Sequence, residues 1–323
     1  MSKKVVLSVV VPVFNEEESI PELFKWICEV VDEHDISTEV IFIDDGSVDS
    51  SWEVITQLNQ SDSRARGIRF NRNYGKSAAL QTGFHSCVGE VIITMDADLQ
   101  DSPDEIPGLV QMIREEGYQL VSGWKRKRHD PIGKTIPSKF FNAITRMVSG
   151  ISLHDFNCGL KAYSREVVKS IEVYGEMHRY IPLIAKWNGF TKIGEKIVQH
   201  RERKYGTTKF GLERFINGFL DLISVSFVTR FRKNPMHFFG TLGSLSFLFG
   251  LMVTGYVIGD KIYKLSQHLP AREVVDQPLF FLALVALVIG TQLFLAGFLA
   301  EMIIQVNPKK NDYLIREKLG GDA

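Results

Sequence analysis

The chain has little that would mark a disulfide-bonded, zinc-binding or nucleic-acid-binding protein. It contains three cysteines in 323 residues, which cannot all pair and show no metal-ligand spacing, so we expect neither a disulfide framework nor a zinc site. Its 38 basic and 38 acidic side chains balance, which argues against a partner such as nucleic acid. Residues 1–4 lead directly into an apolar run without the features of a cleaved signal peptide. We therefore expect the N-terminal part to stay in the cytoplasm.

Short β-branched runs alternate with helical patterns between residues 5 and 101, which is typical of a parallel α/β sheet. A first helix is predicted to begin at Asn15, which would cap it, and another is predicted to begin at Ser102-Pro103 and end at Gly117. Four runs are short, rich in Val and Ile and bounded by polar turns. They predict strands over residues 5–13, 39–45, 67–70 and 90–96.

Two uncharged apolar runs lie near the C-terminus, at residues 238–259 and 279–300. Each has about the ~20 residues that cross the hydrocarbon core of a bilayer, so we predict two transmembrane helices rather than a buried soluble hairpin. Residues 211–234 carry an apolar face with charges at both ends and predict an interfacial helix. Basic residues flank the two runs, and this charge bias predicts that both termini are cytoplasmic.

These patterns divide the chain into four predicted parts. They are an α/β domain over residues 1–210, amphipathic juxtamembrane helices over 211–235, a two-helix transmembrane hairpin over 236–305 and a cytoplasmic tail over 306–323.

Acidic residues follow two of the predicted strands, at the edge of a parallel sheet where ligands bind. Asp44 and Asp45 end the second strand, where a carboxylate can bind a nucleobase or ribose, although the same residues also suit an ordinary turn. Asp96 and Asp98 close the fourth strand. Two carboxylates one residue apart can hold a divalent ion, although turn and helix-cap roles would also explain them. A bound ion would bridge the phosphates of a nucleotide and stabilise a departing diphosphate.

Nine segments of the sequence occur in an informative order and spacing. The first four are VVVPVFNEE at 9–17, FIDDGS at 42–47, NYGKSAALQTGF at 73–84 and MDADLQDSPDEI at 95–106. Together they closely resemble the family 2 inverting glycosyltransferases of the GT-A fold. The other five are VSGWKRKRHDP at 121–131, PSKFFN at 137–142, HDFNCGLKAYSREV at 154–167, MHRYIPLIAKWNGF at 177–190 and RERKYGTTKF at 201–210. These are similar to the polyprenyl-phosphate branch, which includes bactoprenol glucosyltransferases and dolichol-phosphate mannose synthases.

The resemblance implies a GT-A (Rossmann-like) nucleotide-sugar-binding domain followed by an interfacial helix and two transmembrane helices. It implies inverting transfer of a hexose to polyprenyl (undecaprenyl) phosphate at the cytoplasmic membrane face. UDP-glucose is the first expectation for the donor, with GDP-mannose, UDP-N-acetylglucosamine and a modified arabinose as alternatives. A processive polysaccharide synthase and a catalytically silent membrane scaffold are the competing hypotheses, and homo-oligomer formation is left open.

The resemblance also implies residues on the donor side of the site. Asp96 and Asp98 match the pair that binds Mg²⁺ or Mn²⁺, and Asp98 is expected to be catalytic. The residues expected to bind the nucleotide-sugar are Pro12, Asn15, Glu16, Asp44, Asp45, Asp96 and Gln100.

A lipid phosphate and a nucleotide diphosphate repel each other, so cationic side chains are expected on the acceptor side. Arg128 and, as a possible base, Asp155 complete the predicted catalytic set. A base has little to do, because a phosphate monoester with a second pKa near ~6 is already largely dianionic at neutral pH. The scattered histidines are assigned no role. The residues expected to bind the acceptor phosphate are Lys125, Arg126, Ser138, Arg179, Arg203 and Lys209.

Overall fold

The protein is described by a computed structural model that divides into two compact units. The first combines Met1–Ser226 with Asn311–Ala323, and the second is Phe227–Lys310. The predicted interfacial helix over 211–234 lies outside the described part of the chain. The described residues are 5–126, 142, 145–146, 149–175, 177–201, 204, 235–306 and 315–319.

The described part of the first unit contains one eight-stranded mixed sheet. Its strands are β1 (Leu7–Val13), β2 (Thr38–Asp44), β3 (Ala65–Phe70), β4 (Val91–Thr94), β5 (Leu120–Trp124), β6 (Lys161–Ser164), β7 (Ile193–Ile197) and β8 (Ile315–Leu319). They lie side by side in the order β7-β5-β6-β4-β1-β2-β3-β8.

Helices cover both faces of this sheet, and two longer helices form the second unit. Short 3-10 turns occur at Pro103–Glu105 and Met177–Tyr180. The α-helices of the described part are α1 (Ile20–Glu33), α2 (Ser51–Ser61), α3 (Lys76–Ser86), α4 (Ile106–Arg114), α5 (Arg165–Ser170), α6 (Ile181–Trp187), α7 (Pro235–Ser266) and α8 (Pro278–Val306).

The central strands are almost wholly apolar because both of their faces are covered. Val9 and Val11 pack into the buried cluster that contains the apolar face of α1, whereas Val10 packs into the cluster that contains residues of α3. β1 pairs in parallel with β2 and β4, and Pro12 lies opposite Ile43. The prediction of a parallel α/β sheet from the first four apolar runs is confirmed.

The predicted beginning of the first helix is wrong. Asn15 has a φ of +55° and does not cap α1, which begins five residues later at Ile20. The Asn15 side chain instead accepts a hydrogen bond from the backbone N–H of Val48. The helix predicted after Ser102 is present as the 3-10 turn followed by α4, and Gly117 lies just beyond its end with a φ of +71°.

Antiparallel strands complete the sheet on both sides of the parallel core. β6 pairs antiparallel with β4 and β5, which brings the segment around residues 155–161 next to the end of β4. At the opposite edge, β8 pairs antiparallel with β3, so that Gly67 faces Leu319. The sequence did not predict β8, because the C-terminal segment was interpreted only as a tail.

In the second unit, α7 and α8 pack against each other through small residues. A Cβ added to Gly243 would lie 2.7 Å from the carbonyl oxygen of Gly290, and one added to Gly250 would lie 2.8 Å from that of Ala283. Both helices are long and apolar enough to cross a membrane, and most of their large apolar side chains face outward. The prediction of two long apolar helices that could span a bilayer is confirmed.

Candidate active site

Hydrogen bonds connect the loops that follow β1 and β2 at the carboxyl edge of the sheet. The Asn15 N–H donates to Ser47 Oγ (3.0 Å), and the Asn15 side chain accepts from the Val48 N–H (2.9 Å). The Glu16 N–H donates to Ser51 Oγ (2.9 Å). Asn15 and Glu16 therefore lie beside the turn that carries the first acidic pair.

Asp44 is fully buried at the end of β2. Its Oδ1 accepts a hydrogen bond from the Ser47 N–H (2.9 Å), and its Oδ2 lies 3.3 Å from Arg69 Nε. Burial raises the pKa of Asp44 above its ordinary value, against the hydrogen bonds from Ser47 and the attraction of Arg69. Oδ2 accepts no hydrogen bond from the described residues, so this carboxylate retains acceptor capacity.

Asp45 has a different environment from its neighbour. Its two carboxylate oxygens accept the backbone N–H groups of Tyr74 (2.7 Å) and Gly75 (2.9 Å), which form the turn between β3 and α3. Burial raises the pKa of Asp45 to about 6, although both hydrogen bonds oppose this change. Gly46 must be glycine, since its φ is +73° and a Cβ there would lie 2.5 Å from the carbonyl carbon of Arg72. Asp45 thus positions a turn in addition to standing beside the predicted nucleotide site.

Asp96 lies just beyond β4, and both of its carboxylate oxygens have close neighbours. Oδ1 contacts Lys76 Nζ, and Oδ2 lies where a Cβ on Gly159 would approach to 2.4 Å. Burial alone would raise the pKa of Asp96, but the attraction of Lys76, Lys125 and Lys161 outweighs it and holds this pKa below its ordinary value. The carboxylate is therefore ionised at neutral pH, and only glycine at position 159 leaves room for it.

Asp98 follows two residues later in a tight turn. Its Oδ1 accepts a hydrogen bond from the Gln100 N–H (3.2 Å), and Leu99 between them has a φ of +60°. A left-handed backbone at a branched-chain residue is strained. This turn keeps Asp98 and Gln100 at the same sheet edge as Asp96.

These carboxylates fit a divalent ion that is completed by substrate oxygens. Within the described ranges, no group of three or more His, Cys, Asp and Glu side chains is arranged to hold a metal. Mg²⁺ sites for nucleotide substrates commonly use one or two carboxylates together with phosphate oxygens. The ionised, one-third exposed Asp96 and the nearby Asp98 can supply those two carboxylates.

The segment before β6 contributes buried polar groups near Asp96. Asp155 is buried, its Oδ1 accepts the Asn157 N–H (3.0 Å), and its carbonyl oxygen accepts Ser122 Oγ (3.1 Å). Lys161 is also buried, and its Nζ donates to the carbonyl oxygen of Cys158. Burial lowers the pKa of Lys161. Sequence reasoning missed Lys161, which is the first residue of β6, a strand that the sequence did not predict.

Lys125 has a buried counter-ion that the sequence did not reveal. Its Nζ lies 2.8 Å from Oδ1 of Asp101, which is fully buried. Burial alone would lower the pKa of Lys125, but the attraction of Asp101 outweighs it and raises this pKa. The charge of Lys125 is therefore largely balanced within the protein, whereas the neighbouring Arg126 is exposed.

Arg179 lies in the second 3-10 turn, on the same side of the sheet edge as Asp96. It lines a small cavity together with Lys76, Gly159, Lys161 and His178. Burial, reinforced by Lys76, lowers the pKa of His178 well below its ordinary value, and Ser77 Oγ lies 3.1 Å from His178 Nδ1. Arg179 thus shares this cavity with Lys76 and Gly159, both of which contact Asp96, and the sequence did not reveal the places of Lys76 and His178.

Residue 201 lies in contact with Gln100. The Arg201 N–H donates to the Gln100 carbonyl oxygen (2.9 Å), and the Arg201 guanidinium lies 4.1 Å from the ring centre of Trp26. Lys204 pairs with Glu22 of α1 at 2.7 Å. The segment RERKYGTTKF at 201–210 thus begins next to Gln100. Four predicted site residues lie outside the described part of the chain, namely Arg128, Ser138, Arg203 and Lys209.

Comparison with known proteins identifies the family. Residues 8–172 match glycosyl transferase family 2. The chain is 32% identical over 317 residues to dodecaprenyl-phosphate galacturonate synthase of Rhizobium johnstonii, covering 96% of this chain and 92% of the relative. It is 35% identical over 325 residues to undecaprenyl-phosphate 4-deoxy-4-formamido-L-arabinose transferase of Shewanella sediminis, covering 98% and 93%.

Solved structures show the same fold. Glucosyl-3-phosphoglycerate synthase from Mycobacterium tuberculosis in complex with UDP superposes with a TM-score of 0.53 at 23% identity, covering 69% of this chain and 79% of that one. The same enzyme has been solved with Mn²⁺ and UDP-glucose, with a TM-score of 0.52. The expected GT-A-like α/β domain, followed by two long apolar helices, is therefore confirmed, and the chain belongs to glycosyl transferase family 2.

Proposed function

We propose that the protein transfers a sugar from a nucleoside-diphosphate sugar to the phosphate of a polyprenyl lipid at the cytoplasmic face of a membrane. The observation that carries this proposal is the ionised Asp96 among Lys76, Lys125 and Lys161 at the carboxyl edge of the sheet. The site must hold two phosphate-bearing substrates next to an acidic side chain. Nearby lysines offset the repulsion between these negative charges. Two relatives that match more than nine-tenths of the chain are named for a polyprenyl phosphate, dodecaprenyl phosphate in one and undecaprenyl phosphate in the other.

On the donor side, Asp44 is the carboxylate that the sequence resemblance assigns to the nucleoside; it is buried at the end of β2, with its Oδ2 3.3 Å from Arg69 Nε. Pro12, Asn15 and Glu16 would form the wall of the same pocket. Asp96 and Asp98 would hold Mg²⁺ or Mn²⁺, which when bound supplies charge neutralisation for the departing diphosphate.

On the acceptor side, the lipid phosphate would attack the anomeric carbon from the face opposite the diphosphate, with inversion. The phosphate is largely dianionic at neutral pH, so its approach requires cations more than it requires a base. Arg179, which lines the cavity beside Asp96, and the exposed Arg126 are suited to that role. Asp155 is buried and hydrogen-bonded to Asn157, which makes it a weaker candidate for a base.

The donor sugar is the least constrained part of the proposal. UDP-glucose remains our first prediction from the sequence resemblance. The relatives named above act on galacturonate and on formamido-arabinose, so these two sugars join UDP-glucose as the principal alternatives.

A donor panel tests the proposal. Purified full-length protein is incubated with undecaprenyl phosphate, Mg²⁺ or Mn²⁺ and radiolabelled nucleotide-sugars of glucose, galacturonate, formamido-arabinose, mannose and N-acetylglucosamine. We expect label to enter the organic phase from one donor. Label in a water-soluble polymer would favour a polysaccharide synthase instead, and absence of both transfer and nucleotide binding would favour a silent scaffold.

A further inference from the structure

The candidate metal ligand Asp96 forms an ion pair with a lysine. Lys76 Nζ contacts Asp96 Oδ1, and about a third of each side chain is exposed, 32% for Lys76 and 34% for Asp96. The other oxygen, Oδ2, faces the backbone of Gly159, where a Cβ would approach to 2.4 Å. A divalent ion that approaches Asp96 therefore meets the Lys76 ammonium at the carboxylate.

The fold places Lys76 there through a constrained turn. Lys76 is the first residue of α3. The preceding Gly75 has a φ of +92°, a backbone conformation that residues other than glycine rarely adopt. The N–H groups of Tyr74 and Gly75 donate to the buried carboxylate of Asp45 at 2.7 and 2.9 Å. The position of Lys76 is thus tied to the end of β2 and not to a freely moving surface loop.

The other lysines near Asp96 are held by partners of their own. Lys125 is paired at 2.8 Å with the fully buried Asp101, and the buried Lys161 donates to the Cys158 carbonyl oxygen. Lys76 is more exposed than Lys125, with 32% against 14% of the side chain accessible. Of these three cations, Lys76 is the one whose ammonium can leave Asp96 by rotation of its side chain alone.

A metal ion and an ammonium compete for one carboxylate oxygen, and at a separation of a few ångströms they repel each other. A nucleoside diphosphate changes this balance, because its phosphate oxygens can accept the ammonium and complete the metal site together. We propose that Lys76 is the resident counter-ion of Asp96, and that donor diphosphate draws the Lys76 ammonium onto itself as the divalent ion takes its place on Asp96. This inference rests on the metal-binding role given to Asp96 above, and it makes metal and nucleotide binding cooperative.

Mn²⁺ binding to the full-length protein in detergent tests the inference, with the free ion followed by its electron paramagnetic resonance signal. Without nucleotide, Lys76→Met is expected to bind Mn²⁺ at least about fivefold more tightly than the wild type. Added UDP is expected to increase the Mn²⁺ affinity of the wild type by a larger factor than that of Lys76→Met. Lys25→Met removes an exposed lysine that pairs only loosely with Glu29 (3.8 Å), so this matched control should behave as the wild type.

Lys76→Arg keeps the cation and is expected to bind Mn²⁺ as the wild type does. Thermal melting shows whether each variant is folded, and Lys76→Gln is measured in the same way should Lys76→Met not fold. The inference is overturned if both neutral variants bind Mn²⁺ within about a factor of two of the wild type, or if Lys76→Arg tightens binding equally. No lipid or sugar is present, so this result is independent of whether polyprenyl phosphate is the acceptor.

Discussion

At the scale of single residues, Asp45 shows how one acidic pair serves two purposes. Asp44 and Asp45 are adjacent in sequence, yet Asp45 directs both carboxylate oxygens to backbone N–H groups of the turn before α3. The ordinary turn role that the sequence left open for DDGS is filled by Asp44, whose Oδ1 accepts the Ser47 N–H, whereas Asp45 holds a different turn. Its burial raises its pKa from an ordinary value of 3.8 to about 6, which links the stability of this turn to pH.

The raised pKa predicts the direction of a pH effect on stability. Between pH 3.8 and about 6 the folded protein binds more protons at Asp45 than the unfolded chain does, so the free energy of unfolding falls as pH rises through this window. Relative to Asp45→Asn, the wild type should lose up to about 3 kcal/mol across the window. Chemical unfolding of both full-length proteins at several pH values measures this difference. A difference that is constant or grows with pH would contradict the assignment.

Local position in the chain is enough to nominate candidate site residues, but it does not reveal their distant contacts. Asp96 and Asp98 are predicted as metal ligands because strand ends in a parallel sheet form ligand sites. Lys76 contacts Asp96, which lies 20 positions further along the chain. The contact depends on the turn at Gly75, whose φ is positive, and the residue spacing does not predict it. The ion pair of Lys125 with the buried Asp101 was hidden for the same reason.

At the scale of elements, the helix pair of the second unit depends on glycines at the contact. A Cβ on Gly290 would lie 2.6 Å from the backbone nitrogen of Phe247 and 2.7 Å from the carbonyl oxygen of Gly243. Backbone atoms cannot yield as a flexible side chain can, so the helices would have to separate. Gly255, on α7, has open space around its Cβ position and provides a matched control.

We expect Gly290→Ala to destabilise the helix pair by about 1–3 kcal/mol, the usual effect of overpacking. Gly255→Ala should be neutral or slightly stabilising, because alanine favours a helix and meets nothing there. Thermal unfolding of the full-length variants in one detergent compares them. Equal melting temperatures for the two variants would show that the glycine contact is not a determinant of stability.

The C-terminal strand gives a second prediction at this scale. β8 covers the otherwise open edge of β3, and Leu319 packs against the buried core of the sheet. A chain that ends at Lys310 loses this strand, whereas one that ends at Leu319 keeps it. The shorter chain is expected to melt at least about 3 °C lower and to aggregate more readily, since it exposes a sheet edge. A melting temperature equal to that of the longer chain would contradict a stabilising role for β8.

The elements themselves differ in how far the sequence foretells them. β1, β2 and β4 are largely apolar and buried on both faces, so their composition marks them. β8 has the sequence IREKL, with three charged residues in five, and its partner β3 lies about 250 positions earlier in the chain. Pairing at an edge strand asks little of side chains, because backbone hydrogen bonds carry it. This explains why β8 was missed.

At the scale of the whole molecule, the chain leaves the sheet, forms α7 and α8, and returns to the same sheet as β8. A segment that departs from and rejoins one folded unit must cross a bilayer an even number of times. The two helices long enough to cross within the described part of the chain meet this condition. The return of β8 therefore supports the proposal that the two ends of the protein share one side of the membrane.

Transfer of labelled sugar into undecaprenyl phosphate by wild type, Asp98→Ala and Asp62→Ala tests the central claim most directly. Asp62 pairs with Arg64 at 2.7 Å, before β3 and away from the strand ends of the site, so its variant controls for the loss of one carboxylate. We expect Asp62→Ala to retain transfer and Asp98→Ala to lose at least about a hundredfold, with its membrane insertion intact. Full activity in Asp98→Ala would contradict the assignment of the strand-end carboxylates to metal and donor.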